Sequence, residues 1–278
     1  MLIAVFGDLH GKILLAYKLC QRWQKEHKKN LDLILQVGDL GMWPDINKLD
    51  KATIRHIDAD ENELGFIDFI AGSETLDDLF LNKDFALPDL YFIKGNHEDF
   101  DFLQQFRSVL PVDLYHKLIY LPNGTVHACG INNEGISIAA LGGIDKDYDG
   151  KGKRHQNAYF TQSEITQLSA RGSVDVLLTH HGYYAKRGLS EPIKNLRRTL
   201  MPKYHFYGHL HREEQISVEK GIKLVQLNLL GFRRESGMLT KQAFGILEWH
   251  DKDNHKFEFV EDEWMKEYTK YSWDKKYL

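Results

Sequence analysis

Hydrophobic residues gather in five runs along the chain, and each run stops at a polar cluster that contains or adjoins glycine. LIAVF gives way to GDLHG at Gly7, and LDLILQV gives way to GDLG at Gly38. LPDLYFIK turns polar at Gly95 as GNHED, VDVLLT ends at His180, and YHFY ends in Gly208, His209, Leu210 and His211. Unbroken apolar runs of this length predict strands covered on both faces, since a strand with one wet face would alternate. Between the first two runs, Leu14, Leu15, Tyr17, Leu19 and Trp23 recur at helical spacing and predict a helix over 13–23. Strand, helix, strand is the order of a parallel crossover unit, so the pattern points to an α/β fold.

Further strands are expected at 135–141, 223–229 and 243–249. The acidic segment 45–85 reads as a helical insertion, and 142–152 (GGIDKDYDGKG) reads as a flexible loop. From about residue 251 onward, Phe257, Phe259, Trp264, Tyr268, Tyr271 and Trp273 mix with charges. That stretch predicts an amphipathic extension packed on the body or on a partner. No repeat or low-complexity linker interrupts the chain, so 1–278 is expected to form a single domain.

Composition narrows the function more than the fold. With 42% hydrophobic and 27% charged residues the chain is of ordinary globular type. A net charge of −4 supplies no overall basic field for a long nucleic acid, although a local basic cleft stays open. Cys20 and Cys129 are too few for a disulfide framework and point to a reducing cytoplasm. The start of the chain has no basic region and only a short apolar run before Gly7, unlike a secretory leader. No run of about 18 apolar residues is present to span a membrane, so no membrane partner is expected.

The polar clusters carry the chemistry. All sit at the C-terminal ends of expected strands, the edge at which open α/β sheets bind ligands. Collected there are Asp8 and His10, Asp39, Asn96 and His97, His180, and His209 and His211. Carboxylates, an amide oxygen and several imidazoles suit borderline divalent cations such as Mn²⁺, Zn²⁺ or Fe²⁺ better than Ca²⁺ or Mg²⁺. Charge favours two ions over one: two carboxylates offset only half the charge of two divalent cations. The centre stays positive towards a phosphate oxygen even with a hydroxide bound. One ion ringed by every donor would have no open position for a reaction.

In the order D-x-H, G-D, G-N-H-E, H, G-H-x-H these residues resemble the calcineurin-like metallophosphoesterases. The matching positions are Asp8-Leu9-His10, Gly38-Asp39, Gly95-Asn96-His97-Glu98, His180 and Gly208-His209-Leu210-His211. The resemblance implies a four-layer sandwich of two mixed β-sheets flanked by helices. It also implies a metal-dependent phosphohydrolase with two divalent ions, manganese first, iron or zinc as alternatives. Asp8, His10 and His211 would hold one ion, Asn96, His180 and His209 the other, and Asp39 would bridge them. A metal-bridging hydroxide would attack phosphorus, and His97 would protonate the leaving oxygen. Gly208 would let the backbone turn so that His209 and His211 reach different metals.

The substrate implied is a phosphomonoester or phosphodiester, in particular a nucleotide or an RNA. The Ser/Thr protein phosphatases of this superfamily carry an arginine just after the second motif. Here Leu40-Gly41-Met42 stands in its place, which weakens that alternative. The layout resembles the RNA lariat debranching enzymes more weakly, with Met201-Pro202-Lys203-Tyr204 leading into the last motif. Those enzymes often have cysteine where Asp8 stands, and they extend further at the C-terminus. A non-catalytic scaffold of the same fold is the alternative from another class, opposed by the intact ligand set.

Other residues stay open. His181 is either a substrate-side donor or a loop histidine, and His205 reads as packed or exposed rather than liganding. His27, His56, His116, His127, His155, His250 and His255 lack ligand spacing and are assigned to the surface. Lys151, Lys153, Arg154, Arg187, Lys194, Arg197 and Arg198 form either solvated faces or a rim for non-scissile phosphates. Tyr183 and Tyr184 either stack a base or pack in the core.

Overall fold

The computed structural model describes residues 1–57, 61–81, 86–131, 134–149, 154–182, 184–185 and 188–274. Two sheets hold the architecture. The first runs, edge to edge, His255–Phe259, Phe244–Trp249, Leu2–Phe6, Leu33–Gln36, Leu90–Phe92, Leu118–Tyr120 and Leu110–Pro111. The second runs Ser217–Glu219, Ile222–Gln226, Tyr204–Tyr207, Val176–Thr179, Glu134–Leu141 and Val126–Ile131. Both are mixed: the central strands pair in parallel and the outer ones antiparallel.

The unbroken apolar runs are explained by parity, because both faces of each central strand are covered. Along Leu2–Phe6, Ile3 and Val5 enter a cluster with Leu33, Leu35, Val176, Leu178, Phe206 and Val225, which joins the inner faces of the two sheets. Ala4 and Phe6 face the other way, into a cluster with Leu15, Leu19, Trp23, Phe66 and Phe69 beneath helices. On the far side of the second sheet, Ala139, Leu141 and Leu177 pack against Ile165, Leu168, Ile193 and Leu196 of two further helices. The result is helix, sheet, sheet, helix. Each fully buried Leu, Ile, Val or Phe contributes roughly 1.5–3 kcal/mol.

The first helix, Ile13–His27, outruns its expected end at residue 23. Gln24 is buried and accepts a bond from the Leu31 N–H, and Lys28 closes the helix in the left-handed region. Segment 45–85 is helical where described, in Lys51–Ile57, Phe66–Ala71 and Glu74–Leu81. Its Phe66, Phe69, Leu76 and Leu79 are core residues.

Residues 142–152 are not all loop: Lys146–Asp149 forms a helical turn, and 150–152 lie outside the described residues. The C-terminal extension packs on the body. His255–Phe259 adds an edge strand, and Trp264, Tyr268 and Trp273 join the core while Tyr271 stays exposed. Among the described residues no helix is long and apolar enough to cross a membrane.

Candidate metal centre

Every parallel strand just described ends at one edge, and the candidate ligands gather there. Leu2–Phe6 delivers Asp8 and His10, Leu33–Gln36 delivers Asp39, and Leu90–Phe92 delivers Asn96 and His97. Val176–Thr179 delivers His180, and Tyr204–Tyr207 delivers His209 and His211. Two clusters result, Asp8 with His10 and His211, and Asp39 with His180 and His209; within each, the possible ligand atoms lie within 4.8 Å of one another.

Asp39 stands between them, its Oδ2 3.4 Å from His180 Nε2 and 3.8 Å from His10 Nε2. Asn96 Oδ1 lies 3.1 Å from His180 Nε2. All seven sequence-predicted ligands and His97 therefore share one site.

Backbone geometry sets the aim of these side chains. His10, Asp39, His209 and His211 have φ of 42°, 52°, 70° and 47°, in the left-handed region. Such conformations cost non-glycine residues roughly 1–3 kcal/mol each and persist where surrounding structure imposes them. Four of the seven candidate ligands carry that strain, a sign that the site and not the local sequence dictates the turns.

Gly208 differs from expectation here. Positive φ falls on the histidines that follow it, and a Cβ at Gly208 would meet Asp8 Oδ1 at 2.1 Å. The glycine makes room for a carboxylate. Gly95 does the same for Asp39, whose Oδ1 would lie 1.9 Å from its Cβ.

The carboxylates are buried and aimed. Asp39 Oδ1 accepts the N–H groups of Asn96 at 2.6 Å and His97 at 2.7 Å, leaving Oδ2 towards the imidazoles. Asp8 accepts the His209 N–H at 3.1 Å and faces His211 Nε2 at 2.7 Å. Burial alone would raise both carboxyls, yet His180 and its neighbours hold them below the usual carboxylate range.

Burial likewise opposes charge on His180, but Asp39 and Asp8 override it and raise the imidazole to about 9. His180 Nδ1 lies 3.0 Å from the Val37 carbonyl, which fixes the ring and turns Nε2 inward. Burial depresses His10 to about 4 and His209 to about 3, so both are neutral bases at neutral pH.

These residues fit divalent cations. Two buried carboxylates face imidazole nitrogens, and His10 Nε2 is buried without a hydrogen-bond partner. A buried polar atom in that state costs about 1–3 kcal/mol unless something occupies it. The nitrogen and oxygen donor set suits Mn²⁺, Zn²⁺ or Fe²⁺.

Several residues that the motifs do not mark complete the site. Asp50 Oδ2 pairs with His97 Nδ1. Burial disfavours the His97 cation, but Asp39 and Asp50 together raise its pKa above the ordinary value. Glu63 Oε2 lies 3.9 Å from His10 Nδ1, and its Oε1 lies 3.7 Å from Lys12 Nζ.

Asp50 and Glu63 both belong to the acidic insertion, and Glu63 is brought here where Gly11 and Gly65 let two backbones touch. A Cβ on Gly65 would meet the Gly11 carbonyl at 2.2 Å. Glu98 of GNHE is pushed up to about 8 by burial and accepts the Leu40 and Met42 N–H groups, tying that loop to the one after Asp39.

Of the residues left open, His181 is buried and accepts the Asp145 N–H on Nδ1 at 3.1 Å, its ring 5.6 Å from that of His209. His205 is buried and bonded to Thr179 Oγ1 at 2.8 Å, away from the cluster. His127 and His255 are half-buried, against Tyr91 and Trp249, rather than on the surface. Of the basic set, Arg197 is buried and bonded to Glu219, so it forms no rim. Arg154 lies beside His97, with Nη1 3.4 Å from Nε2. Lys151, Lys153, Tyr183 and Arg187 lie outside the described residues, as does the side chain of Tyr184.

Comparison with known proteins gives the same outline. The family profile described as calcineurin-like phosphoesterase matches residues 1–213. The lariat debranching enzyme of Drosophila pseudoobscura pseudoobscura is 25% identical over 252 residues, covering 76% of this chain and 42% of that one. That of Entamoeba histolytica is 24% identical over 274 residues, covering 83% and 69%. The chain thus spans less than half the length of the fly relatives. In fold it is similar to the protein TT1561 of Thermus thermophilus, with a TM-score of 0.53 at 14% identity over 93% of this chain and 97% of that one.

Proposed function

The chain belongs to the calcineurin-like phosphoesterase family, and from that premise we propose that it is a two-metal phosphohydrolase that cleaves a phosphodiester of a nucleotide or oligonucleotide. One observation carries the reading. Six ligand-type side chains form two adjoining clusters that meet at Asp39, with Asn96 against His180 and His97 alongside. Asp8, His10 and His211 would hold one ion, Asn96, His180 and His209 the other, and Asp39 would touch both. Two divalent ions there would acidify a water and screen the charge on a phosphoryl group.

The remaining chemistry belongs to the chain itself. The Asp39 carboxylate fixes the His97 backbone, and Asp50 fixes its Nδ1. The ring therefore presents Nε2 to the site. A histidine tied at one nitrogen and raised in pKa by two carboxylates retains a proton on the other. That is the state required to protonate a leaving oxygen.

Lariat debranching by the relatives motivates branched RNA as one substrate to try, while the intact Asp8 leaves linear diesters in front. The absence of an arginine in Leu40-Gly41-Met42 disfavours a phosphoprotein substrate. The free cysteines Cys20 and Cys129 fit action in a reducing cytoplasm.

The test uses protein reconstituted with Mn²⁺, Zn²⁺ or Fe²⁺ and a panel from bis(p-nitrophenyl) phosphate to cyclic nucleotides, linear RNA and branched RNA. Manganese is expected to support the highest rate. His97→Ala should lower kcat by about 10²–10⁴ with both ions retained. Fewer than one bound ion per chain with no turnover of any ester would sink the reading in favour of a scaffold.

A further inference from the structure

Four strands form the edges of the two large sheets: His255–Phe259, Leu110–Pro111, Ser217–Glu219 and Val126–Ile131. An open edge presents unpaired N–H and C=O groups, and proteins blunt it with charge, proline or brevity. His255–Phe259 carries Lys256 and Glu258, an exposed pair at 2.7 Å. Leu110–Pro111 is two residues long and holds a proline, and Ser217–Glu219 is three residues long. Val126–Ile131 is six residues long, VHACGI, with no lysine, arginine, acid or proline. It is the undefended edge.

Its pairing shows which backbone groups point away from the sheet. Ala140 donates its N–H to the Thr125 carbonyl at 3.0 Å, so Thr125 faces the neighbouring strand. Antiparallel bonding alternates, and the register from Val126↔Ala139 to Ile131↔Glu134 is unbroken. His127 and Cys129 therefore bond to that neighbour, and Val126, Ala128 and Gly130 point their N–H and C=O outward. Among the described residues nothing bonds to those outward groups. Ala128 and Gly130 are exposed. Side chains alternate too: His127 stacks on Tyr91 between the sheets, centroids 5.2 Å apart, while Val126 packs on the helix side.

We propose that this edge pairs with the same edge of a second copy, antiparallel about a twofold axis at Ala128. In that register the outward sets match completely. Val126 exchanges both of its bonds with Gly130 of the second copy, and Ala128 exchanges both with its own equivalent. An axis at His127 or Cys129 would match only two of the three residues. Shape agrees with the bonding. On the helix side the bulkier Val126 meets a glycine and alanine meets alanine, and on the inner side His127 comes opposite Cys129. The occupant is a second copy because the edge complements itself and has no charge to select a foreign strand. Since the paired edges run antiparallel, the two metal centres fall at opposite edges of the joined sheet. Pairing should leave turnover of a small ester unchanged, so the inference stands apart from the phosphoesterase reading.

The experiment uses the full chain in sedimentation velocity over a concentration series. The wild type should pass reversibly from one chain to two, as expected of a small interface. Ala128→Lys sets two like charges opposite each other on the axis and should weaken the dimer tenfold or more. Its Tm and its turnover of bis(p-nitrophenyl) phosphate should stay at the wild-type values, because Ala128 is exposed and far from the ligands in sequence. A second variant reads the register. In a Cys129→Ala background, Ala128→Cys places two thiols on residues about 5.5 Å apart at Cα, within the span of a disulfide. Oxidised glutathione should link that variant into dimers. Gly130→Cys in the same background should not link, since its two copies would stand about 13 Å apart along the strands.

A wild type that stays monomeric up to roughly 0.5 mM would overturn the proposal, because even a contact with a Kd of that order would show. The edge would then be left to an extended peptide of another protein. A dimer that Ala128→Lys does not weaken lies on another surface and also overturns it. Equal or better linking through Gly130→Cys would overturn the axis at Ala128.

Discussion

The two halves of the site are built from like residues and stand in unlike surroundings. Asp39, His180 and Asn96 are shut inside, with the His180 side chain 0% exposed and that of Asp39 2%. The other half opens to solvent, with the side chain of His211 39% exposed and that of His10 14%. In the closed half His180 is aimed by the Val37 carbonyl and Asp39 by two N–H groups, while Asn96 meets the His180 ring. In the open half the His209 N–H holds Asp8, but the histidines are aimed by side chains, with Glu63 near His10 and His211 reaching Asp8 from the rim. A closed, pre-aimed half should hold its ion, and a half whose histidines reach solvent should exchange it.

The largest test removes what the halves share. Asp39→Ala should empty both, taking metal content from two ions to none and hydrolysis of bis(p-nitrophenyl) phosphate to background. Retention of one ion at wild-type affinity would assign Asp39 to a single half and break the symmetry on which the comparison rests.

Next come the histidines of each half, compared in metal-free protein by urea unfolding. His180 is the buried cation between Asp8 and Asp39, so His180→Ala leaves two buried carboxylates uncompensated and should cost about 3–5 kcal/mol. His211 sits at the rim, where an ion pair contributes on the order of 1 kcal/mol or less. Equal losses for the two variants would mean that the closed half is wetter than its burial indicates.

The same contrast runs through pH. With a pKa near 9, His180 carries a proton at neutral pH that a metal must displace, whereas His10 and His209 are already neutral. A raised folded-state pKa means the proton is bound below it and lost above it. Metal affinity of the closed half should therefore rise about tenfold per pH unit up to roughly pH 9 and then level off. Proton release on metal addition, followed in weak buffer, checks the step. A pH-independent closed half would show that His180 is not a ligand.

The sequence showed far more of this centre than of its support. The ligands were legible because each interrupts an apolar run, and the strands were legible because both of their faces are buried. Strands His255–Phe259 and Val126–Ile131 escaped notice: both are edge strands with exposed positions, and neither has an unbroken apolar run. Gly208 was legible as a glycine but not for its reason, which is a carboxylate distant in sequence.

Asp50 and Glu63 were hidden among the many acids of 45–85, where no spacing separates a solvated carboxylate from one that orients a histidine. For Glu63 the visible signal was a pair of glycines, Gly11 and Gly65, whose meaning emerges only once the two backbones are seen to touch.

Glu63 is therefore the sharpest small test of the open half. Its carboxylate is near Lys12 and His10 and largely buried, and it comes from the insertion rather than from a strand end. A carboxylate behind a liganding imidazole fixes the ring and strengthens the opposite nitrogen as a donor, and its loss typically costs 10–100-fold in metal affinity. Glu63→Gln keeps the shape and removes the charge. One of the two ions should weaken by about that factor while the other is unmoved, as read by stepwise chelator competition. If both ions weaken together, the insertion braces the whole centre and the halves are one unit. If neither weakens, the 3.9 Å approach to His10 is packing alone, and the open half must be aimed by His211 and the strained backbone at His10.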